Sequence, residues 1–563
     1  MKIFACLIIV FLLATPLHLR SLSQTDVYAK EGMVVSAHHS ASEIGVDILK
    51  RGGNAVDAAV AVGFALAVVY PEAGNIGGGG FMVIRLKNGA VIGIDFREKA
   101  PKAAWRSMFL DSLGNVSDKS HLGHLSVGVP GTVAGLLKAL EKYGTMKTEA
   151  ILQPAIDIAH QGFVVDKRLE ENFVDYKDEL FSFPSTVRAF TKNGVLYTEG
   201  DTLRQPELAK SLERIQRLGK EGFYRGETAR LIIEEMRRGG GLLTYEDLEE
   251  YEAVLREPIK GRYRGYDIIS MSPPSSGGIC LMQLLSIVEG YDLKRMGFHS
   301  SSSIHVMTEA MKRVYADRAE YMGDPDYVDV PVDFLISKEY ASIRRNEIDS
   351  RKATPGGIVH HGKYLNREGE NTTHYVVADR EGNVVSTTYT INDLFGSKVV
   401  VEGGGFFLND EMDDFSAKPG VQNIYGLIGG DANAIVADKR MLSSMTPTIV
   451  LKEGKPVMAF GARGGPKIIT AVFQTLVNVI DFEMTLQEAV NAPRFHHQWI
   501  PDELLYEKNC FSEDVQNNLQ SKGHILKERK FSLGELEALF IDPRTGRMYG
   551  APDHREGGVA IGY

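Results

Sequence analysis

The chain has 563 residues, 44% of them apolar and 24% charged, the composition of a soluble globular protein with a large core. Its net charge of −10 argues against a nucleic-acid partner, which leaves a basic footprint. Length alone suggests about three or four units of ~150 residues, but no linker, charge block or repeat divides the chain, which reads as one compact fold.

The first element is "MKIFACLIIVFLLATPLHLR", a single Lys2 followed by an apolar run from Ile3 to about Ala14. That run is shorter than the ~20 residues of a membrane span and has the size of a signal-peptide core. The stretch "SLSQTDVYAK" offers cleavage points near Ser23 or Ala29. Residues 1–23 are therefore read as a signal, with an uncleaved N-terminal anchor as the alternative, and the protein is expected to be periplasmic or secreted. Cys6 would leave with the signal, so only Cys280 and Cys510 could pair; the core, not a disulfide framework, stabilises the chain.

Next, "SASEIGVDILKRGGNAVDAAVAVGFALAVVYPEAG" predicts two helices. The first opens on a Ser/Glu capping pattern and stops at Gly52-Gly53. The second, about Val56 to Val69, is apolar nearly all round and so belongs in the interior. "FMVIRLKNGAVIGIDFRE" is a hairpin around Lys87-Asn88-Gly89. Residues 133–300 read as mainly helical, with a strand-like break at "GYDIISMSPPSSGG". "HYVVADREGNVVSTTYTI" is a second hairpin, turning at Asp379 to Asn383. Strands in "TPTIVLKEGKPVMAFGA" and "LEALFIDPRTGRMYG" flank a helix from about Lys467 to Ile480. Helices mixed with antiparallel pairs predict a layered α/β (α+β) body rather than βαβ units.

No nucleotide-cradling loop, H-E-x-x-H, C-x-x-C or G-x-S-x-G occurs. The adjacent His pairs (38–39, 360–361, 496–497) would point their rings apart on a strand, so no metal or other cofactor is expected. Glycines cluster at 77–80, 403–405, 429–430 and 464–465. Most read as tight turns or close packing; exposed N–H pairs that hold an oxyanion are the functional alternative. Asn371-Thr372-Thr373 has two readings: a glycosylation acceptor, or a loop ahead of a Thr that becomes a nucleophile once the chain is cut before it.

"DFREKAP", "NTTHYVVADREGNVVSTTYTIN", "NDEMDDFS", "YGLIGGDAN", "KRMLSSMTPTIV" and "NAPRFHHQW" occur in this order. Together they resemble the signatures of the γ-glutamyltransferase family of N-terminal-nucleophile (Ntn) hydrolases, from about Val35 to Tyr563. The resemblance implies a four-layer αββα sandwich and self-cleavage between Asn371 and Thr372. The products would be a large subunit within 24–371 and a small subunit of 372–563, forming one heterodimer. It implies Thr372 as nucleophile, with its freed α-amine as base. Thr390 would hydrogen-bond that nucleophile, and Gly464 and Gly465 would form the oxyanion hole. Arg97, Ser443 and Ser444 would bind the substrate α-carboxylate, while Asn392, Glu411 and Asp414 would receive its α-ammonium. Tyr425 falls where bacterial members carry a lid. Arg463 before the glycine pair and Pro466 after it depart from the pattern, which puts the local loop geometry in question. Glutathione or another γ-glutamyl compound would be the donor, and water, an amino acid or a dipeptide the acceptor. An acylase of glutaryl or β-lactam side chains is the sibling alternative, and an exported binding protein that never matures the alternative of another class.

Overall fold

The computed structural model describes residues 27–360, 372–555 and 557–563. The expected signal and Asn371 lie outside these described residues. Among the described residues no helix is long and apolar enough to cross a membrane.

Two seven-stranded sheets, antiparallel throughout, stack face to face. The first runs in the order Val27–Ala29, Met548–Pro552, Glu535–Ile541, Lys455–Arg463, Thr448–Lys452, Tyr266–Ser270, Ile259–Tyr263. The second runs Val559–Gly562, Gly32–Ser36, Thr373–Asp379, Val384–Thr390, Gly79–Arg85, Val91–Phe96, Val254–Arg256. Strands from before and after residue 372 are interleaved in both sheets, so the two stretches share one core.

Period-2 alternation explains the four layers. Val34, Met82, Ile84, Tyr375 and Val377 face a cluster built by the helices of the N-terminal half. Their neighbours Met33, Val35, Phe81, Val83, Val376 and Ala378 face the other sheet, meeting Ile269, Ile449, Ala459 and Leu539. The opposite face of that sheet, through Ile268, Val450, Phe460 and Ala538, packs on the helices Gly277–Val288, Ser301–Tyr321 and Lys467–Ile480. Each sheet is thus apolar on both faces, and only a helix–sheet–sheet–helix stack buries both. The helix Ala55–Val69 is buried along its whole length, as its unbroken apolar sequence requires.

Several local expectations change. The first helix, His39–Lys50, is capped by the His38 ring accepting from Ser40 N at 3.2 Å, not by a Ser/Glu box. The strand-like break in the helical stretch is three strands, from Val254 to Ser270. The 21-residue helix Ser301–Tyr321 leaves no clear sequence pattern because buried charges interrupt its apolar period. Glu309 pairs Arg313 at 2.8 Å and Asp317 pairs Arg344 at 3.2 Å, so those charges sit inside. Gly77 and Gly78 serve close approach rather than a turn: a Cβ there would collide with the Phe407 and Thr390 carbonyl oxygens. Cys280 and Cys510 are buried free thiols.

Candidate active site

Thr372 immediately precedes the central strand Thr373–Asp379. That strand pairs antiparallel with Val384–Thr390, Thr373 opposite Tyr389, so the next step of the register sets Thr372 level with Thr390. Both threonines are buried. Beyond Thr390 the chain reverses through Asn392, whose φ of +76° is the left-handed region that Asn tolerates. Asn392 N donates to Thr390 Oγ1 at 2.9 Å and Asn392 Nδ2 to the Asp410 carbonyl at 3.1 Å. With its amide nitrogen engaged, the side chain offers a ligand its carbonyl oxygen.

A cavity of about 280 Å³ opens on Thr372. Every site residue expected from the sequence lines it except Arg97 and Gly464. Arg97 is fully buried, ion-paired with Glu411 and Asp414, and lies 3.5 Å from Glu98. Its Nε and Nη2 also donate to the Met441 and Leu442 carbonyls, each at 3.3 Å. The expected carboxylate clamp therefore holds the two acids expected to bind the ammonium. Ser444 Oγ accepts from Arg318 Nη2 at 3.2 Å, and Ser443 Oγ accepts from Met445 N at 3.2 Å.

The charges around Arg97 do not balance one to one. Burial opposes its charge, but Glu411, Asp414 and Glu98 outweigh that and hold the guanidinium protonated. Burial also lifts the carboxyl groups, against the pull of Arg97: Glu411 to about 7, Asp414 above its ordinary value and Glu98 well above it. Neither Glu98 oxygen has a hydrogen-bond partner. Sequence reasoning missed Glu98 although it follows Arg97 in "DFREKAP". Arg318 was missed too, since a single Arg in an unrecognised helix carries no signal.

Gly464 and Gly465 form the turn between the strand Lys455–Arg463 and the helix Lys467–Ile480, with φ of +124° and +54°. Their carbonyls accept from Lys467 N and Ile468 N at 3.1 and 3.2 Å, which starts the helix without using the glycine N–H groups. Pro466 fits because it sits at the helix start, where no N–H is needed. Arg463 is turned aside by ion pairing with Glu535 and by its bond to the Tyr70 hydroxyl. Tyr425 lies over the turn, and a Cβ on Gly465 would stand 3.0 Å from its ring. The Tyr425 segment is tied down by Asn423 Nδ2 to Asp414 Oδ1 at 3.1 Å and by Gln498 Nε2 to the Gly426 carbonyl at 2.8 Å. Gly465→Ala is expected to displace that ring and the adjoining N–H, lowering kcat by about 10²–10³ with a smaller change in KM, as steady-state kinetics would read.

A stacked double sheet with a threonine at the start of a central strand is the arrangement of the Ntn hydrolases. The gamma-glutamyltranspeptidase profile matches residues 41–563. The chain is 52% identical over 533 residues to the glutathione hydrolase proenzyme of Escherichia coli K12, covering 94% of this chain and 91% of that protein. It is 38% identical over 539 residues to the acylase ACY 1 proenzyme of Pseudomonas sp. SE83, covering 94% and 93%. Among solved structures, cephalosporin acylase from Bacillus halodurans superposes with a TM-score of 0.84 at 28% identity, over 98% of this chain and 99% of that one. Helicobacter pylori gamma-glutamyltranspeptidase matches at 48% identity and a TM-score of 0.58, over 62% of this chain and 100% of that one. The chain belongs to the gamma-glutamyltranspeptidase family.

Proposed function

We propose that this protein is a γ-glutamyltransferase and glutathione hydrolase that matures by cutting itself between Asn371 and Thr372. The observation that carries the reading is one cavity joining Thr372 to Glu411, Asp414, Asn392 and the paired serines. That set supplies a nucleophile beside acceptors for an ammonium and donors for a carboxylate, the two charged groups of a γ-glutamyl head.

Before cleavage the Thr372 nitrogen is an amide and cannot act as a base. Attack of Thr372 Oγ on the preceding carbonyl gives an ester, and water opens it to free the α-amine. With an ordinary pKa of about 7.7–8.0, that amine takes the Thr372 hydroxyl proton. Thr372 Oγ then attacks the γ-carbonyl, the developing oxyanion faces the Gly464–Gly465 N–H groups, and the amine leaves with the proton. Water or an acceptor amine resolves the γ-glutamyl ester. An entering ammonium competes with Arg97 for Glu411 and Asp414, turning guanidinium N–H groups toward the substrate carboxylate beside Ser443 and Ser444. A large subunit within 24–371, a small subunit of 372–563 and export through the N-terminal segment complete the reading.

The test is to incubate the purified protein with glutathione and separate glutamate and Cys-Gly by mass spectrometry. Release of both is expected. Turnover of a glutaryl amide with none of glutathione would favour the acylase, whose substrate lacks the ammonium that Glu411 and Asp414 suit.

The reaction should also depend on pH through Glu411. Only its carboxylate receives an ammonium, and burial lifts its pKa to about 7 against the pull of Arg97. The donor KM is therefore expected to fall as pH rises through about 7. Glu411→Gln should remove that limb, and a limb that survives the substitution would assign it elsewhere.

A further inference from the structure

One buried helix reaches two walls of the Thr372 cavity. Tyr315 and Arg318 stand three residues apart on Ser301–Tyr321, which puts them on one face. The Tyr315 hydroxyl donates to the carbonyl of Pro466, the residue after the Gly464–Gly465 turn. Arg318 Nη2 donates to Ser444 Oγ at 3.2 Å, and its Nε to Ser276 Oγ at 2.9 Å. Ser276 in turn donates to the Ser443 carbonyl, through Oγ at 2.6 Å and through its backbone N–H at 2.8 Å. One guanidinium therefore holds Ser444 directly and Ser443 through Ser276, and both serines line the cavity.

Arg318 is buried, and among the described residues it bonds to hydroxyl groups rather than pairing with a carboxylate. Burial lowers its pKa, and Asp414 is the carboxylate that opposes this. Arg97, by contrast, is already ion-paired with Glu411 and Asp414. A cation buried without an anion in contact is costly, so an entering carboxylate is stabilised here. The two serines are prepared for it. Ser444 Oγ accepts from Arg318 and Ser443 Oγ from Met445 N, which leaves each hydroxyl hydrogen to donate into the cavity. A bond accepted from a charged donor also polarises the Ser444 hydroxyl and strengthens its own donation. Resting on the reading above, we infer that Arg318 is a positioning residue of the donor's carboxylate subsite. It aligns Ser443 and Ser444 toward the α-carboxylate and places a second cation behind them. Tyr315 does the same for the oxyanion turn through the Pro466 carbonyl, so one helix sets donor binding with one side chain and acyl transfer with another.

The experiment compares two donors on the matured protein, γ-glutamyl-4-nitroanilide and 4-aminobutyryl-4-nitroanilide, which keeps the ammonium but lacks the α-carboxylate. Arg318→Gln is expected to raise the KM of the glutamyl donor about 10-fold or more, the scale of a hydrogen bond to a charged group. Its kcat should change little, and kcat/KM for the aminobutyryl donor should stay as in the wild type. Arg318→Lys keeps the charge without the fork that reaches both serines and should recover part of the loss. On a Ser444→Ala background Arg318→Gln should cost less than it does alone, because part of its effect runs through that hydroxyl. Tyr315→Phe should give the opposite split, kcat lower by about 5-fold for both donors at unchanged KM. Intact-mass spectrometry gives the matured fraction, so that rates are read per cut chain. Equal losses on both donors, or full additivity with Ser444→Ala, would make Arg318 a structural residue and leave the reaction standing. Should Arg318→Gln fail to mature, Ser276→Ala decides, since it leaves the cation in place. A KM raised for the glutamyl donor alone would then support the inference, and an unchanged KM would overturn it. A wild type that releases no nitroaniline from γ-glutamyl-4-nitroanilide would overturn the reading, and the inference with it.

Discussion

Thr372→Ala is expected to leave one uncut chain, close to the 62.0 kDa of the full sequence less any signal, where the wild type gives two fragments. Intact-mass spectrometry reads the result directly, since one wild-type fragment should begin at Thr372. Activity should fall by roughly 10⁴-fold or more, because hydroxyl and α-amine are lost together and such units act non-additively. The fold should survive. Thr372→Ala removes one buried methyl and one hydroxyl, a small loss beside two sheets in which strands from both sides of residue 372 are interleaved. Thr372→Ser keeps the hydroxyl and should still cut, at a different rate. A folded wild type that stays in one piece would end the nucleophile reading and return Asn371-Thr372-Thr373 to an ordinary loop.

Arg97 should show the largest effect on stability. Its guanidinium is fully buried between Glu411 and Asp414, with Glu98 3.5 Å away. Arg97→Gln removes the cation and leaves the buried Glu411 and the partly buried Asp414 without it, a change that typically costs about 3–5 kcal/mol. It should appear as a lower unfolding midpoint in urea together with loss of donor binding. Arg97→Lys keeps the charge but not the planar fork that reaches both acids and two carbonyls. It should recover part of the stability and little of the donor affinity. Adding Glu411→Gln to Arg97→Gln should restore stability by removing one orphaned charge. An Arg97→Gln protein that unfolds like wild type would show that the cluster is not ionised as described.

Much of the fold is legible in the order of the residues. The runs "FMVIRLKNGAVIGIDFRE" and "HYVVADREGNVVSTTYTI" read as hairpins and form them, Gly79–Phe96 and Thr373–Thr390, because turn residues and alternation act over a few positions. The helix Lys467–Ile480 has the predicted bounds because its apolar face is unbroken and the Gly464-Gly465-Pro466 turn sets its start. Local signals failed where burial reverses their meaning. The helix Ser301–Tyr321 hides its charges in internal pairs, and the glycines at 77–78 respond to carbonyls contributed by Phe407 and Thr390.

By itself the sequence determined the local elements and the family: a threonine opening a strand, a glycine pair opening a helix, and residues of both charges in fixed local company. These are short-range properties, written in neighbours along the chain. The tertiary structure alone decided how the charges meet. Arg97 and Glu411 lie 314 residues apart, yet they share one ion pair. Their burial places the guanidinium behind the acids, raises the pKa of Glu98 and brings Arg318 to Ser444. It also sets Gly465, but not Gly464, on the lining of the acid-lined cavity. Desolvation and long-range pairing belong to the packed molecule, so no stretch of sequence could carry them.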